Sequence, residues 1–119
     1  MLNGGQLDGI RVVSRSTVAL MTSDQLGSRI QPVALAPGEL LMGLQGYTFG
    51  LGFMVRQGPG LASVPGSAGE FMWAGALGTY FWIDPKEEMV AVYMSQAGGP
   101  TRGAYRRLVK QLVSQAIVD

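Results

Sequence analysis

The ten residues Tyr47–Arg56, with the sequence YTFGLGFMVR, decide the fold of this chain. Aromatic and aliphatic side chains occupy alternate positions from Tyr47 to Val55, which is the two-residue period of a β-strand. The intervening positions include Gly50 and Gly52, which leave room for another backbone or a ligand, or mark a bend or bulge. We predict one strand across the whole stretch.

Three further segments continue the sheet towards the C-terminus. Glu70 to Ala74 and Thr79 to Ile83 are rich in aromatic residues, and the glycine-containing link at 75–78 joins them. Asp84-Pro85-Lys86-Glu87 is a turn, because proline presets the backbone angle and the aspartate can accept from the amides ahead of it. A last strand then runs from Met89 to Ser95. Residues 47–96 are therefore predicted to form antiparallel strands.

The clearest helical pattern lies in residues 101–119. Apolar side chains recur at helical spacing, at Tyr105, Leu108, Val109, Leu112, Val113, Ala116 and Ile117. We expect this side of an amphipathic helix to pack on the sheet. The basic side chains Arg102, Arg106, Arg107 and Lys110 are expected to form a solvated face, and a phosphate or lipid site is the alternative.

Residues 1–46 carry weaker signals. Two glycine turns precede a short strand or extended arm at 10–13, and Ser14 is placed to cap a short helix that includes Thr17 to Thr22. Residues 23–46 are predicted to be irregular. The chain is thus one partial domain over 1–119 of the α+β class: an antiparallel meander of three to four strands with a C-terminal helix on one face.

The predicted strands are apolar or glycine-rich on both faces, yet the chain offers one long helix to cover them. About half of the sheet needs a cover that this chain does not obviously supply. We therefore expect self-association or a complementary segment as a partner.

Composition excludes several classes of function. The 119 residues contain no cysteine and no histidine, which removes disulfides, zinc sites built on those ligands, and the commonest general base. A formal charge of +1 is too small for typical nucleic-acid binding. We expect no metal and no cofactor. We expect no membrane span and no signal peptide within this sequence, hence a soluble protein, with its compartment left open.

No catalytic residue is predicted in this chain. A Ser-x-x-Lys pair is absent, because Ile83 and Arg107 stand three positions before the two lysines, Lys86 and Lys110. The remaining candidate is Trp73-Ala74-Gly75-Ala76, where small residues at a strand end let a substrate carbonyl reach a backbone amide. A tight hairpin is the alternative explanation of the same residues.

These residues carry a resemblance to a known family. Residues 47–53, 70–79 and 81–85, with Leu2–Gly9 and Leu20–Ser23 upstream, resemble the C-terminal part of serine β-lactamase-related hydrolases, in the branch of class C β-lactamases and family VIII esterases. The resemblance implies an acyl-serine mechanism with nucleophile and base on a Ser-x-x-Lys motif and a third motif on a strand. Trp73, Ala74 and Gly75 stand where esterase members carry Trp-Gly-Gly. By analogy Trp73 lines the pocket and the Ala76 amide is an oxyanion donor.

Two departures from the family pattern qualify what it implies. Ala74 replaces the usual glycine or threonine, and the absence of a lysine in the third motif argues against high affinity for a β-lactam carboxylate. The first two motifs are absent, so the sequence resembles the last third of an enzyme and is predicted to be inactive alone. Completed by an N-terminal portion, it would act on a small ester or amide. The competing hypothesis is a non-catalytic module that covers its sheet by self-association.

Overall fold

The computed structural model describes residues 1–27 and 45–118. Its elements in chain order are β1 (Gln6–Leu7), β2 (Ile10–Arg11), α1 (Arg15–Met21), β3 (Tyr47–Phe49), β4 (Met54–Arg56), β5 (Phe71–Ala74), β6 (Tyr80–Asp84), β7 (Met89–Tyr93) and α2 (Thr101–Gln115). Most of the connection predicted as irregular between residues 23 and 46 lies outside the described residues. Neither described helix is long and apolar enough to cross a membrane.

The larger sheet is an antiparallel meander in the order β3-β4-β5-β6-β7, and β1 pairs with β2 in a separate two-stranded hairpin. Strands that follow each other in the chain are neighbours, as predicted. The α+β fold class is confirmed, with five strands in the main sheet where three to four were expected.

The additional strand comes from Tyr47–Arg56, where the prediction of one continuous strand is wrong. The stretch folds back on itself, so that Tyr47 pairs with Arg56 and Phe49 with Met54. The amide of Gly50 donates to the carbonyl of Phe53 at 2.8 Å, and Gly52 has a φ of +87°, a conformation that favours glycine. Alternation continues through both strands of a tight hairpin, which is why the sequence pattern did not show the turn.

The turn before β7 forms as predicted. The Asp84 carboxylate accepts hydrogen bonds from the amides of Lys86 and Glu87 at 3.1 and 3.3 Å. This local pairing follows from residue type, since aspartate at the first turn position bonds to the amides ahead of it. It closes the β6–β7 hairpin, in which Asp84 pairs with Met89.

Helix α2 packs on the sheet, but with a different side inward than predicted. Arg106 and Lys110 are buried, whereas Tyr105, Leu108 and Leu112 are about half exposed. Arg106 and Lys110 face inward because they bond to carbonyl and carboxylate groups at the two ends of β5. Val109 and Val113 complete the contact with the core.

Helix α1 has the cap that the sequence predicts. The Ser14 hydroxyl accepts from the Thr17 amide at 3.0 Å. The C-terminal end of α1 lies against the β3–β4 turn, where the amide of Leu51 donates to the carbonyl of Met21 at 2.9 Å. This is a close backbone approach at Gly50, one of the two roles proposed for the glycines of the stretch.

Each side of the main sheet carries its own apolar cluster. The side facing α2 is formed by Tyr47, Met54, Met72, Ala74, Tyr80 and Trp82, and the opposite side by Val55, Phe71 and Ile83. On that opposite side Val90, Val92 and Met94 stay more than half exposed, at 52, 65 and 75%. Within the described residues, the second face of the sheet is therefore only partly covered.

Gly50 provides a test of the contact between α1 and the hairpin. A Cβ at Gly50 would lie 2.0 Å from the carbonyl oxygen of Met21, so Gly50→Ala should lower the free energy of unfolding by about 1–3 kcal/mol, the range for overpacking. At Gly58 an added Cβ has no heavy atom within 4 Å, and Gly58→Ala should leave stability unchanged or raise it by up to about 1 kcal/mol. Urea unfolding of both variants checks this, and equal effects would contradict the contact.

Candidate functional site

Strand β5 has a free outer edge beyond Met72. Strand β4 pairs with β5 at Met54–Met72 and Val55–Phe71, and the hairpin turn at 50–53 ends β4 there. On its other side β5 is paired along its whole length, from Phe71–Ile83 to Ala74–Tyr80. Among the described residues no strand lies beside the outer edge of Trp73 and Ala74.

The peptide groups at this free edge alternate in direction. The amide of Gly75 donates to the carbonyl of Thr79 at 2.8 Å, so it points towards β6. In an antiparallel ladder the neighbouring peptide group at Ala74 points the opposite way, to the free edge. The Gly75 carbonyl accepts from the Gly78 amide, so the Ala76 N–H, on the other end of the same planar peptide, also points away from β6. This arrangement can receive a substrate carbonyl as an added strand would be received.

Ala76 lies in a tight turn that follows β5. The amide of Gly78 donates to the carbonyl of Gly75 at 3.2 Å, which makes Ala76 the second residue of a four-residue turn. Gly78 has a φ of +116°, and an added Cβ there would lie 2.7 Å from the Ser95 hydroxyl. The tight turn that the alternative explanation predicts is thus present, and the Ala76 amide takes no part in the hydrogen bond that closes it.

Trp73 borders both the free edge and an apolar cavity. Its ring meets the ring of Phe49 edge-on, with 5.6 Å between centroids. A cavity of about 320 Å³ lies between the ends of β5, β6 and β7; its lining is Trp73, Ala74, Gly75, Thr79, Tyr80, Phe81, Val92 and Met94. The structure thus brings three of the four predicted site residues to one cavity, with Ala76 in the turn beyond.

Two arginines of α2 hold the turn that carries Ala76. Arg102 donates from Nη1 to the carbonyl of Ala76 at 2.6 Å. Arg106 donates from Nη2 to the carbonyls of Gly75 and Thr79, the latter at 3.0 Å, and from Nε to that of Gly78 at 3.3 Å. Charge-assisted bonds to several carbonyls fix the turn on the helix.

The other end of β5 is held by a buried ionic cluster around Glu70. Its carboxylate, 0% exposed, accepts from Lys110 Nζ at 2.6 Å, from Arg56 Nη1 at 3.3 Å and from the Tyr47 hydroxyl. Lys110 also lies over the Trp82 ring, 4.4 Å from its centroid. A buried carboxylate requires such partners, so Glu70 is the centre of a structural ionic cluster.

Burial and the cluster shift the acid–base properties of three neighbouring groups. Burial, followed by the negative charge of Glu70, raises the pKa values of Tyr47 and Tyr80 far above that of free tyrosine. Burial lowers the pKa of Lys110, and the charge of Glu70 opposes that effect. The tyrosines therefore stay neutral in the folded protein across the ordinary pH range.

Sequence reasoning found the strand end but missed the side chains that hold it. Gly103, Arg106 and Lys110 are the buried residues of α2, and their spacing of three and four places them on one side of a helix. That spacing was the available signal. The apolar residues of α2 follow a helical period too, so the spacing alone does not distinguish the buried side.

Comparison with known proteins identifies the family of this chain. The family model described as Beta-lactamase matches residues 5–115. This chain belongs to the beta-lactamase family. The family assignment confirms the resemblance that the motifs of β3 to β6 carried.

The similar proteins are much longer than this chain. "Protein Rv1367c" of Mycobacterium tuberculosis is 32% identical over 99 residues, which are 81% of this chain and 24% of that protein. Among solved structures, "EstCE1, a hydrolase with promiscuous acyltransferase activity" has a TM-score of 0.71 at 24% identity, over 94% of this chain and 26% of EstCE1. Simvastatin synthase (LovD) from Aspergillus terreus has a TM-score of 0.66 at 19% identity, over 92% of this chain and 31% of LovD. Identities this low establish a shared fold, and the chain spans about a quarter of the relatives' length.

The two buried tyrosines give a test of the Glu70 cluster. The Tyr80 hydroxyl has no hydrogen-bond partner among the described residues, whereas Tyr47 donates to Glu70. At pH 7, Tyr47→Phe should cost about 1.5–3 kcal/mol of unfolding free energy, the range for a bond to a charged group. Tyr80→Phe should be neutral or stabilising, because it removes an unsatisfied buried hydroxyl.

The same pair predicts a pH dependence. A raised pKa in the folded state means that stability is complete below the pKa of the unfolded tyrosine, about 10, and falls as the pH rises above it. Tyr80→Phe should therefore reduce the slope of the alkaline loss in urea unfolding measured from pH 7 to 11. If Tyr80→Phe lowered the unfolding free energy at pH 7 as much as Tyr47→Phe does, the environments assigned to the two tyrosines would be contradicted.

Proposed function

We propose that this chain forms the part of a β-lactamase-like serine hydrolase that receives the substrate carbonyl, while the nucleophile comes from a polypeptide segment that this sequence does not contain. The observation that carries the proposal is the free edge of β5 beside an apolar cavity, where the hydrogen bonds of Gly75 to Thr79 and Gly78 direct the amides of Ala74 and Ala76 outward. Backbone amides fixed in advance at such a position stabilise the negative charge that develops during acyl transfer.

The proposed reaction is acyl transfer through a serine ester. A serine hydroxyl attacks the substrate carbonyl, a base takes its proton, and the oxyanion is held by the Ala76 amide together with a second donor. This chain has no Ser-x-x-Lys pair, so it supplies the carbonyl-binding part and is inactive alone. Turnover then requires the segment with the nucleophile and the base.

A small ester or amide is the proposed substrate class. Trp73 and the apolar lining of the adjoining cavity favour an uncharged acyl group over a carboxylate. The tryptophan at 73 also offers no cation to a β-lactam carboxylate. The hydrolase and promiscuous acyltransferase activities of EstCE1 are those of that protein, and they support acyl chemistry here by family likeness.

A second candidate function is a non-catalytic module that covers its sheet by self-association. The exposed side chains of Val90, Val92 and Met94 favour it, because they leave an apolar strip on the face opposite α2. The same strip is explained by a complementary segment under the first candidate. Activity and mass together distinguish the two.

The chain alone should neither react with a fluorophosphonate probe nor hydrolyse a short-chain nitrophenyl ester. Intact-mass spectrometry after exposure to the probe measures covalent labelling. The absorbance of released nitrophenol, at equal protein concentration, measures hydrolysis. A single covalent adduct together with turnover would contradict the proposal. Ser95 and Ser67 would then be the first candidate nucleophiles to mutate. An unreactive, discrete oligomer in sedimentation would favour the second candidate.

A hybrid provides the positive test. When this chain replaces the quarter of EstCE1 that it superposes on, the hybrid should be labelled by the same probe. Ala76→Pro replaces the amide hydrogen by a ring carbon at a turn position that suits proline, and should slow labelling by at least about 10²–10³-fold, the cost of one oxyanion donor. Ala76→Ser keeps the amide and is the matched control.

The outcome of the hybrid experiment is read only on a folded protein, as shown by a cooperative thermal transition. A folded hybrid that is not labelled contradicts the proposal. Equal labelling rates for the Ala76→Pro and Ala76→Ser hybrids would show that the Ala76 amide is not the donor.

A further inference from the structure

The peptide group between Gly75 and Ala76 connects α2 to the proposed site. Its carbonyl and its N–H lie in one plane and point in opposite directions. The N–H belongs to Ala76 and is the proposed oxyanion donor. The carbonyl belongs to Gly75 and accepts from Arg106 Nη2 and from the Gly78 amide, the latter at 3.2 Å.

Arg106 is held against this peptide by further bonds to neighbouring carbonyls. Its side chain is 0% exposed, and its guanidinium also donates to the carbonyls of Thr79 at 3.0 Å and Gly78 at 3.3 Å. Contacts to three carbonyls leave the planar guanidinium little freedom to turn. The orientation of the Gly75–Ala76 peptide plane is therefore fixed by its bond to this guanidinium.

A cation on a carbonyl oxygen also changes the other end of the same peptide. Hydrogen bonds to charged donors are stronger than neutral ones, and bonds in series polarise one another in a low-dielectric interior. Electron density drawn towards the Gly75 oxygen makes the Ala76 N–H a better donor. The amide is thus both oriented and strengthened before any substrate arrives.

We propose that Arg106 is a positioning residue that orients and polarises the Ala76 amide through the Gly75 carbonyl. The proposal rests on the proposed function of the Ala76 amide, and it adds the helix side chain that prepares it. Arg102 makes the matched contact one peptide further on, since it bonds the Ala76 carbonyl and so acts on the N–H of Leu77.

The direct test is amide nuclear magnetic resonance of this chain without substrate or added segment. In Arg106→Met, the nitrogen resonance of Ala76 should move upfield, because its peptide carbonyl has lost a cationic donor, and it should move more than that of Leu77. In Arg102→Met the order should reverse. Arg106→Lys keeps the charge with fewer donors and should give a smaller shift of Ala76.

An Ala76 resonance that stays in place in folded Arg106→Met overturns the proposal. If Arg106→Met gives no dispersed spectrum, Arg106→Lys decides, and an Ala76 position identical to that of the parent chain has the same meaning. This measurement does not depend on catalysis, so its failure is distinct from failure of the proposed function.

Kinetics of the EstCE1 hybrid test the consequence for the site. Arg106→Met should lower kcat for the nitrophenyl ester by about 10-fold, less than loss of a donor outright, with KM nearly unchanged. Arg106→Lys should restore part of kcat, and Arg102→Met should lower it less than Arg106→Met does. A rise in KM at constant kcat would assign Arg106 to substrate binding and overturn the positioning role.

Discussion

The buried carboxylate of Glu70 is the interaction on which the rest of the structure depends. It lies immediately before β5 and is held by Arg56 of β4 and Lys110 of α2. Removing a carboxylate from water is costly, and two cations with a tyrosine hydroxyl offset that cost only if the three elements keep their positions. Glu70 therefore sets where α2 lies across the sheet and which of its sides faces inward.

The orientation imposed by Lys110 explains the rest of α2. Arg106, four residues earlier on the same side, bonds to the turn that follows β5. Lys110 bonds to Glu70, the residue that precedes β5. The helix thus holds both ends of the strand that carries the candidate site. A consequence is that Tyr105, Leu108 and Leu112 face away from the sheet and stay about half exposed.

The site strand combines rigidity with an open edge. The β3–β4 hairpin turns back before it can cover Trp73 and Ala74, and the hairpin is fixed against α1 through Gly50. The chain belongs to the beta-lactamase family, and under the proposed function this edge receives the substrate carbonyl. The chain spans about a quarter of its relatives' length, and the proposed function assigns the nucleophile to a further segment.

The features that the sequence determined by itself are local. The Ser14 cap and the Asp84 turn depend on side chains bonding to amides two or three residues away, and the alternation of β5 to β7 shows directly in the residue order. The family resemblance is equally a matter of short motifs.

Only the tertiary structure decided where Tyr47–Arg56 turns back and which side of α2 is buried. Lys110 meets Glu70 across 40 residues of chain and Arg106 meets Gly75 across 31. The helical period of the apolar side chains is compatible with either orientation of α2. The orientation of α2 is determined by distant carboxylate and carbonyl groups, which need cationic partners once burial removes them from water.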